Sequence, residues 1–148
     1  MEIKHFSHRM IELMPRLMRS CAASEHNSLS RGEITLPQLW SLEYLARNGN
    51  CAMNELAREF RISRPAATGL INRLIAQGMV KRHHDEKDRR IVRVEITAKG
   101  RRVVNEIYEQ KRQQFVNLFG RLSVTDRVQY LAILERVIAV LDQQEKRA

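Results

Sequence analysis

The chain has 148 residues, 43% hydrophobic and 29% charged, so it is long enough to bury its own core and too apolar for a disordered chain. Its 26 Lys and Arg outnumber 17 Asp and Glu, and the formal net charge of +9 points to a polyanionic partner, nucleic acid ahead of an acidic membrane. With no apolar run near the roughly 20 residues of a membrane span and no apolar signal core at the N-terminus, a cytoplasmic protein is expected, with Cys21 and Cys51 as free thiols.

The charge is concentrated. Residues 51–102 hold 13 Lys and Arg against 6 Asp and Glu, a net of +7, whereas the remainder holds 13 against 11, a net of +2. A basic middle third is therefore flanked by two nearly neutral arms.

In chain order, Ile3, Phe6, Met10, Leu13, Met14, Leu17, Met18 and Cys21 fall three or four apart and predict an amphipathic helix. Pro15 is expected to kink that helix or split it. Residues 24–33 are polar and turn-rich, and read as a loop. Thr35-Leu36-Pro37-Gln38 has the form of a capping box, opening a helix with Leu39, Leu42, Leu45 and Ala46 on its apolar face. After the stop at Arg47-Asn48-Gly49-Asn50, with Cys51 in a turn, a short helix runs through Glu55 to Phe60. Ser63 is placed to cap the next helix, with Pro65 in its first turn and Gly78 beyond its end. Residues 79–84 and 91–96 alternate as two antiparallel strands around a tip at 85–90. Thr97 opens a long helix that Gly120 interrupts. Ser123-x-x-Asp126 opens the last helix, whose stripe is Val128, Leu131, Leu134, Val137, Ile138 and Leu141. The expected fold is mostly α with a small β-hairpin.

Two short helices joined by a tight turn make a helix-turn-helix. On the second, Ala67, Leu70, Ile71, Leu74 and Ile75 point to a core, which leaves Ser63, Arg64, Pro65, Ala66, Thr68, Gly69, Asn72 and Arg73 outside. That outer face is small and cationic, as a helix entering a major groove must be: Arg64 suits guanine or phosphate, and Thr68 a thymine methyl or phosphate. A hairpin immediately after such a helix serves as a wing on the neighbouring minor groove, whose negative potential attracts arginine. Arg89 and Arg90 sit at its tip, and Lys81, Arg82, Lys87 and Arg93 lie near enough to reach phosphates. Asp88 belongs in so basic a tip only if it holds one of those arginines. The apolar stripes at 3–21 and 124–141 would overexpose a monomer, so two copies are expected to interlock and set their recognition helices about 34 Å apart.

L-P-Q at 36–38, N-E-L-A at 54–57, N-R-L-I-A-Q-G-M-V at 72–80, D-R-R at 88–90 and I-T-A-K-G at 96–100, in register, resemble the MarR family of multiple antibiotic resistance regulators. The resemblance implies a homodimeric winged helix-turn-helix repressor whose terminal helices interleave and whose wings straddle a palindromic operator. It implies DNA contacts by Ser63, Arg64, Pro65 and Thr68, a phosphate contact or wing brace by Arg73, and an Asp88 that orients Arg90 into the minor groove beside Arg89. At Gly69 the family often has arginine or another polar residue, so one contact fewer is expected here. The organisation expected is a dimerisation arm at 1–34, a DNA-binding lobe at 35–99 and dimerisation helices at 100–148, in one compact chain. Phe6, Met10, Leu13, Leu17, Leu131, Leu134, Ile138 and Leu141 are the candidate interface.

The resemblance also implies release by a small phenolic or lipophilic effector, for which Met14, Met18, Trp40 and Tyr44 are candidate lining, beside their plainer reading as core. A thiol switch at Cys21 would need a lowered pKa, and only Arg19 and His26 lie near it in sequence; packing as a small hydrophobe is the simpler role. His83 and His84, adjacent on a strand, point to opposite faces and do not converge on a metal, and no nucleophile motif or phosphate-cradling loop is present. No cofactor, metal or enzymatic activity is expected. The alternatives are an architectural DNA binder with little sequence choice and a redox-sensing regulator.

Overall fold

The computed structural model describes residues 2–22 and 26–145. Among these the order is α1 (Ile3–Ala22), α2 (Leu36–Asn48), β1 (Cys51–Ala52), α3 (Met53–Glu59), α4 (Arg64–Ala76), β2 (Val80–His84), β3 (Val92–Ile96), α5 (Ala98–Phe119) and α6 (Val124–Glu145). The chain divides into two compact units, Met1–Gln110 and Lys111–Ala148.

The first unit holds the core. Leu39, Leu42 and Leu45 of α2 meet Leu56 of α3, Ala67, Ile71 and Leu74 of α4, and Val80, Val94 and Ile96 of the sheet. The core also takes in Ile34 and, beyond residue 99, Val103, Val104 and Ile107 of α5. Leu42, Leu45, Leu56, Ile71, Leu74 and Val94 are wholly enclosed. Local signals set the boundaries. The N-terminus of α2 is a complete capping box, in which Gln38 N donates to Thr35 Oγ1 (3.4 Å) and Thr35 N to Gln38 Oε1 (2.8 Å). Gly78 follows α4 at φ 71°, where a side chain would be strained.

The sheet corrects one expectation. It has three strands in the order β1-β3-β2, all antiparallel, with Cys51 opposite Val94 and Val80 opposite Ile96. Cys51 is therefore not in a turn; it is a buried strand residue, and burial pushes its thiol up to about 11. Helix α1 runs from Ile3 to Ala22 with Pro15 inside it, so of the two outcomes expected there the split does not occur.

Of the loop expected at 24–33, residues 24 and 25 lie outside the described residues, and the rest is a polar knot. Buried Asn27 accepts from Leu29 N (3.0 Å) and Ser30 N (3.1 Å) and donates from Nδ2 to Gln110 of α5 (3.1 Å). Gln110 in turn donates to the His26 carbonyl at 3.0 Å.

The second unit is built differently. Ser123 caps α6 by accepting from Asp126 N at 3.1 Å, and Phe119 stacks against Phe115 and Tyr130 with ring centres 5.8 and 5.2 Å away. Every side chain from Arg121 to Gln144 is exposed. Two neighbouring apolar stripes run along α6: Val128, Leu131, Leu134, Ile138 and Leu141, and a second of Tyr130, Ile133, Val137 and Val140. No described helix is long and apolar enough to cross a membrane.

Candidate nucleic-acid interface

The helix-turn-helix is α3, a tight turn and α4. Arg61 occupies the turn at φ 50°, a conformation more usual for glycine, while Ile62 N reaches back to the Ala57 carbonyl (3.0 Å). Ser63 then caps α4 by accepting from Ala66 N at 3.3 Å, and Pro65 stands in the first turn. The face assignment holds at its centre: Ala67, Ile71 and Leu74 are buried, and Leu70 and Ile75 are half-buried. Ser63, Arg64, Pro65, Ala66, Thr68, Asn72 and Arg73 all stand exposed. Arg64 is anchored by donating from Nε to Asn54 Oδ1 of α3 at 2.6 Å. Gly69 sits in mid-helix, where glycine costs about 1 kcal/mol relative to alanine.

The wing is β2, the tip and β3. Asp88 grips Arg90 through both carboxylate oxygens: Oδ1 accepts from Arg90 N and Nε (3.0 Å each), and Oδ2 from Nη2 (3.1 Å). That grip holds the Asp88 carboxyl below its ordinary pKa and raises that of the guanidinium. The Arg90 side chain is nevertheless 91% exposed, a fixed charge presented to solvent. Arg89 is exposed beside it, and its carbonyl oxygen shares a 2.8 Å hydrogen bond with His84 Nδ1.

A second clasp had no sequence signal. Asp85 accepts from Lys87 N (2.8 Å) and Asp88 N (3.1 Å) through one oxygen and from Arg93 Nε through the other. Arg93 also donates to Asn50 Oδ1 at 3.2 Å, which ties the wing to the loop after α2. The Arg93 hydrogen bond first, and then the two backbone donors, push the Asp85 carboxyl down to about 2. Arg93, expected near enough to reach phosphates, here braces the wing through Asp85 and Asn50. Lys81 is likewise turned to Glu95 (3.2 Å). The link from α4 to the wing is made by Asn72, whose Oδ1 accepts from Arg82 Nη2 at 2.8 Å, one position before Arg73.

Recognition helix and wing line one cleft of about 730 Å³, whose walls include Arg64, Pro65, Thr68, Gly69, Asn72, Arg82 and Arg90. The other candidates are dispersed. Tyr44 packs edge-on against Phe60 with ring centres 5.9 Å apart, as part of the core, whereas Trp40 is half exposed. Met14 and Met18 are exposed on α1, as are Phe6, Met10 and Leu13, with Leu17 half-buried. Cys21 is half-buried. Among the described residues no group of three or more His, Cys, Asp or Glu is placed to hold a metal.

The model of the MarR family matches residues 33–91, from the residue before Ile34 to the end of the wing tip. The HTH-type transcriptional regulator YsmB of Bacillus subtilis is 29% identical over 80% of this chain and 79% of its own. The transcriptional repressor MprA of Escherichia coli K12 is 24% identical over 96% of this chain and 76% of its own. In fold, the chain is similar to MepR of S. aureus as crystallised with DNA, at a TM-score of 0.69 and 21% identity, covering 90% of this chain and 98% of that one. In its middle region, in fold and in these relatives, the chain is similar to winged-helix transcriptional regulators of the MarR family.

Proposed function

We propose that this regulator is a homodimeric repressor of the cytoplasm that reads a palindromic operator, with α4 of each protomer in a major groove and Arg90 of each wing in the adjacent minor groove. The observation that carries the reading is the shared cleft: the tip arginine held by Asp88 and the outer face of α4 line the same cavity, so both can meet one duplex at once. Ser63, Arg64, Pro65, Thr68 and Arg73 contact the major-groove side, and Arg89 supports Arg90 at the tip. MprA, a named repressor, supports the sign of regulation.

The dimer rests on exposed apolar surface. Phe6, Met10 and Leu13 of α1, with Leu17 half-buried beside them, and Leu131, Leu134, Ile138 and Leu141 of α6 have too little to cover them within one chain. A twofold partner covers them without opening a new edge. A small phenolic or lipophilic effector then has to bind where the partner closes a cavity around Met14, Met18 and Trp40, since none of these is enclosed in the protomer. Tyr44 is engaged with Phe60 and contributes less. Selection of bound duplexes from a random pool tests the whole reading. A twofold-symmetric site whose half-sites are one helical turn apart supports it; recovered sequences with no shared site favour the architectural binder.

A further inference from the structure

Gly69 has no reason to be glycine that the protomer itself supplies. It lies inside α4 without a positive φ, and a Cβ built there would meet only the Arg73 Nη2 atom, 4.0 Å away. Gly100 shows the contrast: a Cβ there would stand 2.3 Å from the Met79 carbonyl oxygen, so the fold demands glycine. At Gly69 the helix instead carries a residue that weakens it, while the space left empty opens into the cleft between α4 and the wing.

That cleft has a definite chemistry. Arg64, Arg82 and Arg90 line it, and no carboxylate does. Arg64 and Arg82 are each held by a neutral amide, of Asn54 at 2.6 Å and Asn72 at 2.8 Å, so their charge is fixed in place without being cancelled. Ile91 and Val92 add an apolar strip to the same wall. Cations beside an apolar strip suit alternating phosphate and deoxyribose.

We infer that this cleft seats the sugar-phosphate backbone of the one DNA strand that divides the major groove from the minor groove, and that Gly69 gives the seat its depth. The inference rests on the proposed placement of α4 and the wing: with one in each groove, the strand between those grooves has to pass between them. Phosphates meet Arg64 and Arg82, a sugar lies on Ile91 and Val92, and the missing side chain of residue 69 lets the backbone approach the helix closely. Gly69 is thus a positioning residue for DNA, selected by the partner and not by the fold.

The test uses Gly69→Ala in the full-length protein, beside Arg90→Ala, on two duplexes: one selected from a random pool by the unaltered protein and one of mixed sequence. Gly69→Ala is expected to melt about 3 °C higher, since alanine favours the helix. It is also expected to bind both duplexes ~10-fold more weakly and to flatten the salt dependence by about one phosphate. Opposite signs for stability and affinity cannot arise from a purely structural glycine. Unchanged or tighter binding overturns the inference, and so does a lower melting temperature. A loss confined to the selected duplex overturns the backbone seat in favour of a base contact. If Arg90→Ala weakens binding while Gly69→Ala does not, the groove placement survives and only the seat fails; if the unaltered protein binds neither duplex, both fall.

Discussion

The two compact units use similar amino acids to opposite effect. In Met1–Gln110 the leucines of α2, α3 and α4 close on one another, and Leu42, Leu45, Leu56 and Leu74 lose all contact with solvent. In Lys111–Ala148 a comparable set of large apolar residues is exposed along the whole of α6. Periodicity alone does not distinguish them, since both sets recur at helical spacing. The difference lies in what the chain offers on the other side. Helix α2 has a three-stranded sheet and two helices against it, whereas α6 leaves two apolar stripes exposed. On the proposed function the first unit would carry the DNA-reading surface and the second the surface for pairing.

That comparison is broken most severely in the second unit. Leu134→Asp puts a charge into the middle of α6 and should leave the first unit folded while yielding monomers. With the two half-sites no longer linked, operator affinity should fall by roughly 10²–10⁴-fold. Sedimentation and duplex titration check this together, and a monomer that still binds tightly would remove the pairing role from α6. The reciprocal change is Leu42→Ala in the first unit. It opens a cavity at a wholly enclosed site and should cost about 3 kcal/mol in denaturant unfolding. A loss below ~1 kcal/mol would mean that the core is looser than its burial indicates.

How much of this was legible differs by element. The capping box at Thr35 and Gln38, the Ser63 cap and the Asp88–Arg90 grip could be read in advance, because each depends on side chains within three residues of one another. Strand β1 was not, since two residues carry no periodicity and Cys51 becomes a strand only by pairing with Val94 across 43 positions. The Asp85–Arg93 and Asn72–Arg82 links were missed for a related reason: their partners stand 8 and 10 positions apart, beyond any local motif, and the tip's excess of charge conceals which pairs form. Arg61 in a left-handed turn gave no warning either, because arginine is not a turn former; it stands between Leu56 in the core and Ile62 packed against that core. The lobe's reach into α5 as far as Ile107 was hidden because a long helix shows no seam where its packing partners change.

Within the first unit the wing sharpens the contrast on a smaller scale, since it is exposed yet ordered. Arg90→Ala removes the charge that Asp88 aims, and binding to duplexes with A·T-rich flanks should weaken about 10-fold, with a smaller loss on G·C-rich flanks. Asp88→Asn keeps an acceptor but loses the charged two-oxygen grip, and should cost less than removing the arginine. Equal losses on both flanks would reduce Arg90 to a phosphate contact.

The smallest effect is a titration. An unperturbed aspartate has a pKa of about 3.9, and Asp85 is held down to about 2 by Arg93 and two backbone amides. A carboxyl depressed on folding contributes stability that is complete above its unfolded pKa and is lost as pH falls through the folded value. The Asp85 clasp should therefore be intact at neutral pH and weaken only between about pH 4 and pH 2. Carboxyl-carbon chemical shifts recorded at pH 4 provide the check, since an ordinary aspartate is about half protonated there while Asp85 should remain ionised. The Lys87 and Asp88 amide signals, whose N–H groups donate to Asp85, should hold their neutral-pH positions at the same point. An Asp85 carboxyl already half protonated at pH 4 would mean that Arg93 does not hold it, and that the wing is ordered by its backbone alone.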